Sequence, residues 1–316
     1  MDGDARKIAV ILGVNGQDGS YAAEYFLFKG YYVLGIGRQL QSKWLTRSEL
    51  FRYEKVDLAE FSSVEIILKE IRPSVIINAA AIHGAATYSY EEVWSEAHLV
   101  NTGLTNCILE YIRRDCPECF YLFLSSSKVF NTGADAKILE SSPRVGSCIY
   151  SITKNAATDL VDYYRKKHGL KASVVWTFNH ESPRRGPDYF ISKIVGTLEK
   201  SLLDSNFKSE IYTLDFWCDW GDAEEYMNIC GDIAIRGISQ NFVLATGTTL
   251  WARDFVEKLF ALYSLNYSDH FLEVNAKPDR DMPWIADISS LKREDGLSPC
   301  RSIYDVCDSI LKSKRG

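Results

Sequence analysis

Up to about residue 178, short apolar runs alternate with longer amphipathic stretches. Residues 7–12 (KIAVIL) and 32–37 (YVLGIG) read as strands, as do 74–78, 120–125 and 172–178. The stretches 91–113 and 149–167 carry the spacing of helices that bury one face. This alternation predicts a parallel sheet covered by helices on both sides, a doubly wound α/β domain of Rossmann type over residues 1–178. The run Ser182-Pro183-Arg184-Arg185-Gly186-Pro187 breaks the pattern. Beyond it, helical segments at 189–203, 251–263 and 302–311 and short strands at 210–214 and 242–245 predict a smaller mixed α/β C-terminal lobe over 179–316. Some of its later strand segments could return to the first sheet. Neither an internal repeat nor a low-complexity tract is present.

Composition narrows the class. A chain of 316 residues with 46% hydrophobic content can bury one large core and a smaller one. No apolar run approaches the ~20 residues of a membrane span, and Met1-Asp2-Gly3-Asp4 lacks a signal-peptide pattern, so a cytoplasmic location without membrane association is expected. The net charge of -6 argues against nonspecific nucleic-acid binding. Eight cysteines do not suggest a disulfide framework. Cys116-Pro117-Glu118-Cys119 has redox or zinc-like spacing, yet there is no second such pair and the five histidines are scattered, so no metal is expected.

The chemistry is carried by two motifs. Gly13-Val14-Asn15-Gly16-Gln17-Asp18-Gly19 stands where a strand turns into a helix. Bare Gly13 and Gly16 let the backbone approach a pyrophosphate at the helix N-terminus, and Gly19 permits close helix packing. Strand 32–37 is followed by Arg38 and Gln39, with no acidic residue for the ribose hydroxyls, which favours NADP with NAD as the alternative. Asp57 and Leu58 would flank the adenine. Further on, Tyr150 and Lys154 lie four residues apart and share a helix face, where the ammonium can stabilise a phenolate that takes a hydroxyl proton as hydride leaves. Ser126 ends the preceding strand and is placed to hydrogen-bond the reacting oxygen. Together the motifs point to a tyrosine-dependent short-chain dehydrogenase.

A closer resemblance rests on Gly16-Gln17-Asp18-Gly19-Ser20-Tyr21, Asn179-His180-Glu181-Ser182-Pro183-Arg184-Arg185-Gly186, Asp219-Trp220-Gly221 with Tyr226 beyond, and Ala245-Thr246-Gly247. These resemble the GDP-mannose 4,6-dehydratases, extended short-chain dehydrogenases, over most of the chain. The resemblance implies NADP, a C-terminal lobe holding a nucleotide-diphospho sugar, GDP-linked by preference, and a homodimer or homotetramer. Asn179 and Lys193 would contact the substrate diphosphate region. Lys277 and Arg280 would also serve the substrate, and Arg184 and Arg185 would lie near a subunit interface.

Three departures fall near the substrate. The family supplies the carboxylate that removes the carbon-5 proton two positions after the catalytic hydroxyl, and here that position is Lys128. A protonated ammonium is a poor base near neutral pH. The family's Gln-Ser-His beside the sugar is Ile82-His83-Gly84, with His83 a candidate sugar-pocket donor. Cys218 and Lys277 stand where the family has arginines. The expectation is hydride transfer at carbon 4 without dehydration. A 4,6-dehydratase with Lys128 or another residue as base is the alternative, and a non-catalytic NADP-binding sensor is a third reading that intact Tyr150 and Lys154 disfavour.

Overall fold

The computed structural model describes residues 7–83, 90–130, 137–276 and 283–315. The apolar runs form β1 (Ile8–Leu12), β2 (Tyr32–Gly37), β3 (Phe51–Lys55), β4 (Val75–Asn78) and β5 (Phe120–Ser126). Between them lie α1 (Gln17–Phe28), α2 (Phe61–Ile71), the short α3 (Trp94–Ala97) and α4 (Leu104–Asp115). After the two-residue β6 (Lys137–Ile138) come α5 (Ile149–His168), β7 (Ala172–Thr177), β8 (Asn179–Glu181), α6 (Phe190–Ser201), β9 (Ser209–Ile211), β10 (Trp217–Cys218) and β11 (Trp220–Asp222). The remainder is α7 (Ala223–Arg236), β12 (Phe242–Leu244), β13 (Leu250–Trp251), α8 (Ala252–Ala261), β14 (Phe271–Glu273), β15 (Ile285–Ala286), α9 (Ser289–Lys292) and α10 (Ile303–Arg315).

The first compact unit holds a seven-stranded sheet in the order β12-β7-β5-β4-β1-β2-β3, every neighbouring pair parallel. Its inner strands β1, β4, β5 and β7 are almost wholly buried, as expected of a sheet covered on both faces. Strand order reverses between β1 and β4, which opens a crevice at their carboxyl ends. The unit comprises the chain through β5 together with Ser142–Thr177 and Ala223–Leu244. A single cut at 178/179 therefore misplaces α7 and β12. β12 extends the sheet beyond β7, and α7 packs on α1 so closely that a Cβ at Gly231 would meet the Tyr25 ring at 2.2 Å.

One expected element differs in kind. The stretch predicted as one helix over 91–113 is α3, a π-helical turn at His98–Gly103 and then α4. Asn101 sits in that turn and bonds outside the helix. It accepts from the Ile82 amide at 2.8 Å and donates to the Ile82 carbonyl at 3.1 Å and to Thr153 Oγ1 at 3.0 Å. Tertiary hydrogen bonds that widen a helix leave no mark on hydrophobic periodicity.

The second unit contains Phe178–Asp222 and the chain from Ala245. Its core gathers Ile191, Ile194 and Leu198 of α6, Trp220, Phe255 and Phe260, and Val306 and Ile310 of α10. Two motifs that looked separate in sequence meet here. Buried Asp219 accepts hydrogen bonds from the Thr246 amide (3.0 Å), Thr246 Oγ1 (2.7 Å) and the Gly247 amide (2.8 Å). Burial pushes its carboxyl up to about 6, while these donors pull it down.

Candidate active site

The glycine turn is built as its sequence requires. Gly13 has φ +77°, and a side chain there would strike the Ala80 backbone at 2.9 Å. A Cβ on Gly19 would come within 2.3 Å of the Gly13 carbonyl, so α1 can pack against the turn only without one. Gly16 precedes α1 with extended backbone, and Gln17, Asp18 and Gly19 form its first turn. A cleft of about 200 Å³ opens beside it. Gly13, Gly16, Arg38, Asp57 and Leu58 line this cleft, as the sequence indicated for a dinucleotide. The bare backbone at a helix N-terminus fits a pyrophosphate.

Sequence reasoning did not find Glu96 or Ala79–Ala81, which line the same cleft, as do Asn15 of the glycine turn, given no role of its own there, and Ile82, expected beside the sugar. Asn15 holds the connection after β2: its amide donates to Gln39 Oε1 and the Gln41 carbonyl, both at 3.0 Å, and its oxygen accepts from the Lys43 amide at 2.8 Å. Glu96 pairs with Arg38 at 3.0 Å. The triple alanine after β4 was the available signal for a backbone that must pass close to a ligand.

Tyr150 and Lys154 stand on the first turns of α5, both buried. Lys154 Nζ donates to the Leu124 carbonyl at 2.7 Å and lies 4.5 Å from the centre of the Phe123 ring and 5.8 Å from that of Tyr150. Burial lowers its ammonium to about 7, against which the Asp18 carboxylate acts. The edge of His83 meets the Tyr150 ring, centroids 4.6 Å apart, so the loop after β4 does reach the tyrosine. Ser126 ends β5, and its Oγ accepts from the Lys128 amide at 3.2 Å, starting a short turn on which Lys128 is exposed. Cys148, also missed in the sequence, caps α5 two positions before Tyr150. Burial raises its thiol, but hydrogen bonds with Ser151 and the charge of Lys128 leave it below its ordinary value.

In the second unit, Asn179 opens β8 and is exposed, paired in register with Trp220 of β11. Lys193 is exposed on the first turn of α6. Arg185 stacks on Tyr189 at 3.7 Å and lies 3.6 Å from Glu181, so at least this arginine has structural work within its own loop. Cys218 is buried, and burial raises its thiol well above the ordinary range. Lys277, Arg280 and Gly84 lie outside the described residues. No helix among the described residues is long and apolar enough to cross a membrane, and none of their His, Cys, Asp and Glu side chains cluster as a metal site.

A seven-stranded parallel sheet with a glycine turn at its switch point and a buried Tyr150/Lys154 pair on α5 defines an enzyme of the short-chain dehydrogenase/reductase class. Residues 10–288 match the family described as GDP-mannose 4,6 dehydratase, and the chain belongs to that family. It is 32% identical over 275 residues to the GDP-mannose 4,6 dehydratase of Drosophila melanogaster, covering 82% of this chain and 69% of that one. It is 30% identical over 281 residues to the human enzyme of the same name, covering 82% and 73%. Its fold is shared with dTDP-glucose 4,6-dehydratase from Bacillus anthracis in complex with NAD (TM-score 0.81, 18% identity, 98% and 97% coverage). UDP-glucose 4-epimerase from Thermotoga maritima, solved with UDP-glucose, shares it too (TM-score 0.77, 17% identity, 98% of each chain).

Proposed function

We propose that this protein moves hydride at carbon 4 of a GDP-mannose-like nucleotide sugar, as a 4-dehydrogenase, a 4-keto reductase or an epimerase passing through the ketone, without eliminating water. The carrying observation is Lys128, exposed two positions after Ser126, where the family's elimination base is expected, in a site that keeps Tyr150 and Lys154. In the oxidative direction Tyr150 Oη takes the proton of the carbon-4 hydroxyl, Ser126 Oγ hydrogen-bonds that oxygen, and the Lys154 ammonium stabilises the phenolate. The nicotinamide cofactor, when bound, accepts the hydride or returns it. Removing the carbon-5 proton needs a separate base, and an exposed ammonium does not supply one. The names of the relatives favour the other reading, a dehydratase with a non-standard base.

Mass spectrometry of products from a panel of nucleotide sugars separates these. Net loss or gain of two hydrogens, or an unchanged mass with altered stereochemistry, supports the proposal, and Tyr150→Phe should abolish that turnover while still binding cofactor. Lys128→Glu should raise solvent-deuterium exchange at carbon 5 of a 4-keto sugar about 100-fold or more. Efficient loss of water by the unmodified protein, abolished in Lys128→Ala, would make Lys128 the base and overturn the proposal.

The cofactor we propose is NADP. Arg38 on the cleft rim supplies a cation for the 2′-phosphate, and the exposed Glu96 partner is displaced at little cost because surface ion pairs contribute about 1 kcal/mol or less. NADP should bind more tightly than NAD; Arg38→Ala should narrow the difference and Glu96→Gln should widen it. Equal affinities in the unmodified protein would refute the assignment.

A further inference from the structure

We infer that Cys116 and Cys119 form a dithiol that exchanges reversibly with an external low-molecular-weight disulfide, at the end of β5 remote from Ser126. The pair lies outside the hydride-transfer site and does not depend on the reading given to that site.

The geometry is that of a closed turn with an outer and an inner sulfur. Cys116 leaves α4 with its amide still bonded to the Ile112 carbonyl, and the Cys119 amide returns to the Cys116 carbonyl at 2.9 Å. Such a turn keeps its end Cα atoms within about 7 Å, the reach of a disulfide. Cys116 Sγ donates to the Pro73 carbonyl at 3.6 Å and Cys119 Sγ to the Phe120 carbonyl at 3.7 Å. Pro117 and Glu118 are exposed, Cys116 is half-buried and Cys119 is 1% exposed, so a disulfide arriving from solvent meets Cys116 first.

The surroundings divide the roles. The neighbouring Cys119 thiol, together with the positive charge of Arg72, outweighs burial and lowers the Cys116 thiol, whereas the neighbouring Cys116 sulfur and burial raise Cys119. Arg72 is held there by donating to the Asp115 carbonyl at 2.9 Å. The nearby carboxylates have their own cations: Glu118 pairs with Lys171 at 2.6 Å, and Asp115 lies 4.0 Å from Lys69. Cys116 thus has the character of an attacking sulfur and Cys119 that of a resolving one. Cys116 thiolate attacks one sulfur of the external disulfide and expels the other as a thiolate, which takes up a proton. Cys119 then loses its proton and attacks the Cys116 sulfur, forming the 116–119 bond and releasing the second thiol. Two protein thiols are oxidised and one disulfide is reduced to two thiols.

The test uses the full-length protein in buffers of reduced and oxidised glutathione, followed by alkylation of remaining thiols and peptide mass spectrometry. Oxidation should protect Cys116 and Cys119 together while the exposed Cys300 stays alkylatable. At pH 6 Cys116 should react with glutathione disulfide about tenfold faster than Cys300, since only a lowered thiol keeps a large thiolate fraction there. Cys119→Ser should arrest at a stable glutathione adduct on Cys116, and Cys116→Ser should leave Cys119 unmodified. The rate comparison on unmodified protein does not depend on either variant folding. Cys116 reacting no faster than Cys300, or an adduct that persists in the unmodified protein, would overturn the inference.

Discussion

Lys154 carries the strongest electrostatic conflict near the reacting tyrosine. Its amine is enclosed by β5 and α5, and burial brings its ammonium down to about 7, whereas the unfolded chain keeps that proton to about 10.4. Between these values the unfolded state binds more protons, so stability rises with pH by up to about 1.4 kcal/mol per unit; below pH 7 the penalty is full. Lys154→Met should therefore stabilise the cofactor-free protein at pH 6, by roughly 2 kcal/mol after loss of the bond to the Leu124 carbonyl, and the advantage should vanish at about pH 8.5 and reverse toward pH 10. Urea midpoints for both proteins at pH 6, 8 and 10 check this. A variant less stable than its parent at pH 6 would show that the ammonium is well solvated. The same substitution should abolish hydride transfer, because the charge that strains the fold is the one proposed to stabilise the phenolate. The positions of Tyr150, Lys154 and Gly13 could be read from the chain, because local spacing puts the first two on one helix and the third in the turn after β1. Glu96 could not, since its partner Arg38 is distant in sequence, nor could Cys148, whose burial and the charge of Lys128 beside it come from the tertiary fold.

At the scale of elements, strands and helix faces were legible wherever burial alone decides them. β1, β2, β4 and β5 fall on the apolar runs, and the turn from β1 into α1 follows from its glycines. The break inside 91–113 was not legible, because it is made by Asn101 bonding across to Ile82 and Thr153. Those bonds tie the loop bearing His83 to the helix bearing Tyr150. Asn101→Ala removes the ties and leaves buried polar groups without their partner, which costs about 1–3 kcal/mol. The expected result is a lowered thermal midpoint with cofactor binding retained and a fall of about tenfold or more in kcat, as His83 and Tyr150 lose their fixed relation. Unchanged kcat alongside the lowered midpoint would confine Asn101 to structural support.

For the whole molecule, the chain's return to its first sheet was foreseen only in outline. α7 and β12 belong there because the edge of β7 and the α1 face at Tyr25 need covering, and neither need appears in local composition. Other apolar side chains stay exposed among the described residues. Trp94 of α3, Leu99 of the π turn, and Ile152 and Tyr163 of α5 are 55%, 43%, 41% and 54% exposed, on helical segments that pack against one another. Large apolar side chains left exposed on neighbouring helical segments are characteristic of protein interfaces, and a two-fold pairing buries the same residues on both copies. We propose that this face joins two subunits. Sedimentation velocity should give at least a dimer, and Leu99→Glu with Ile152→Glu should shift it to monomer, because a C2 contact presents each introduced charge twice in a desolvated interface. The double variant should keep its far-ultraviolet circular dichroism and cooperative unfolding, since both positions face solvent in one chain. A wild-type monomer at micromolar concentration, or an oligomer indifferent to both charges, would remove this face from the assembly.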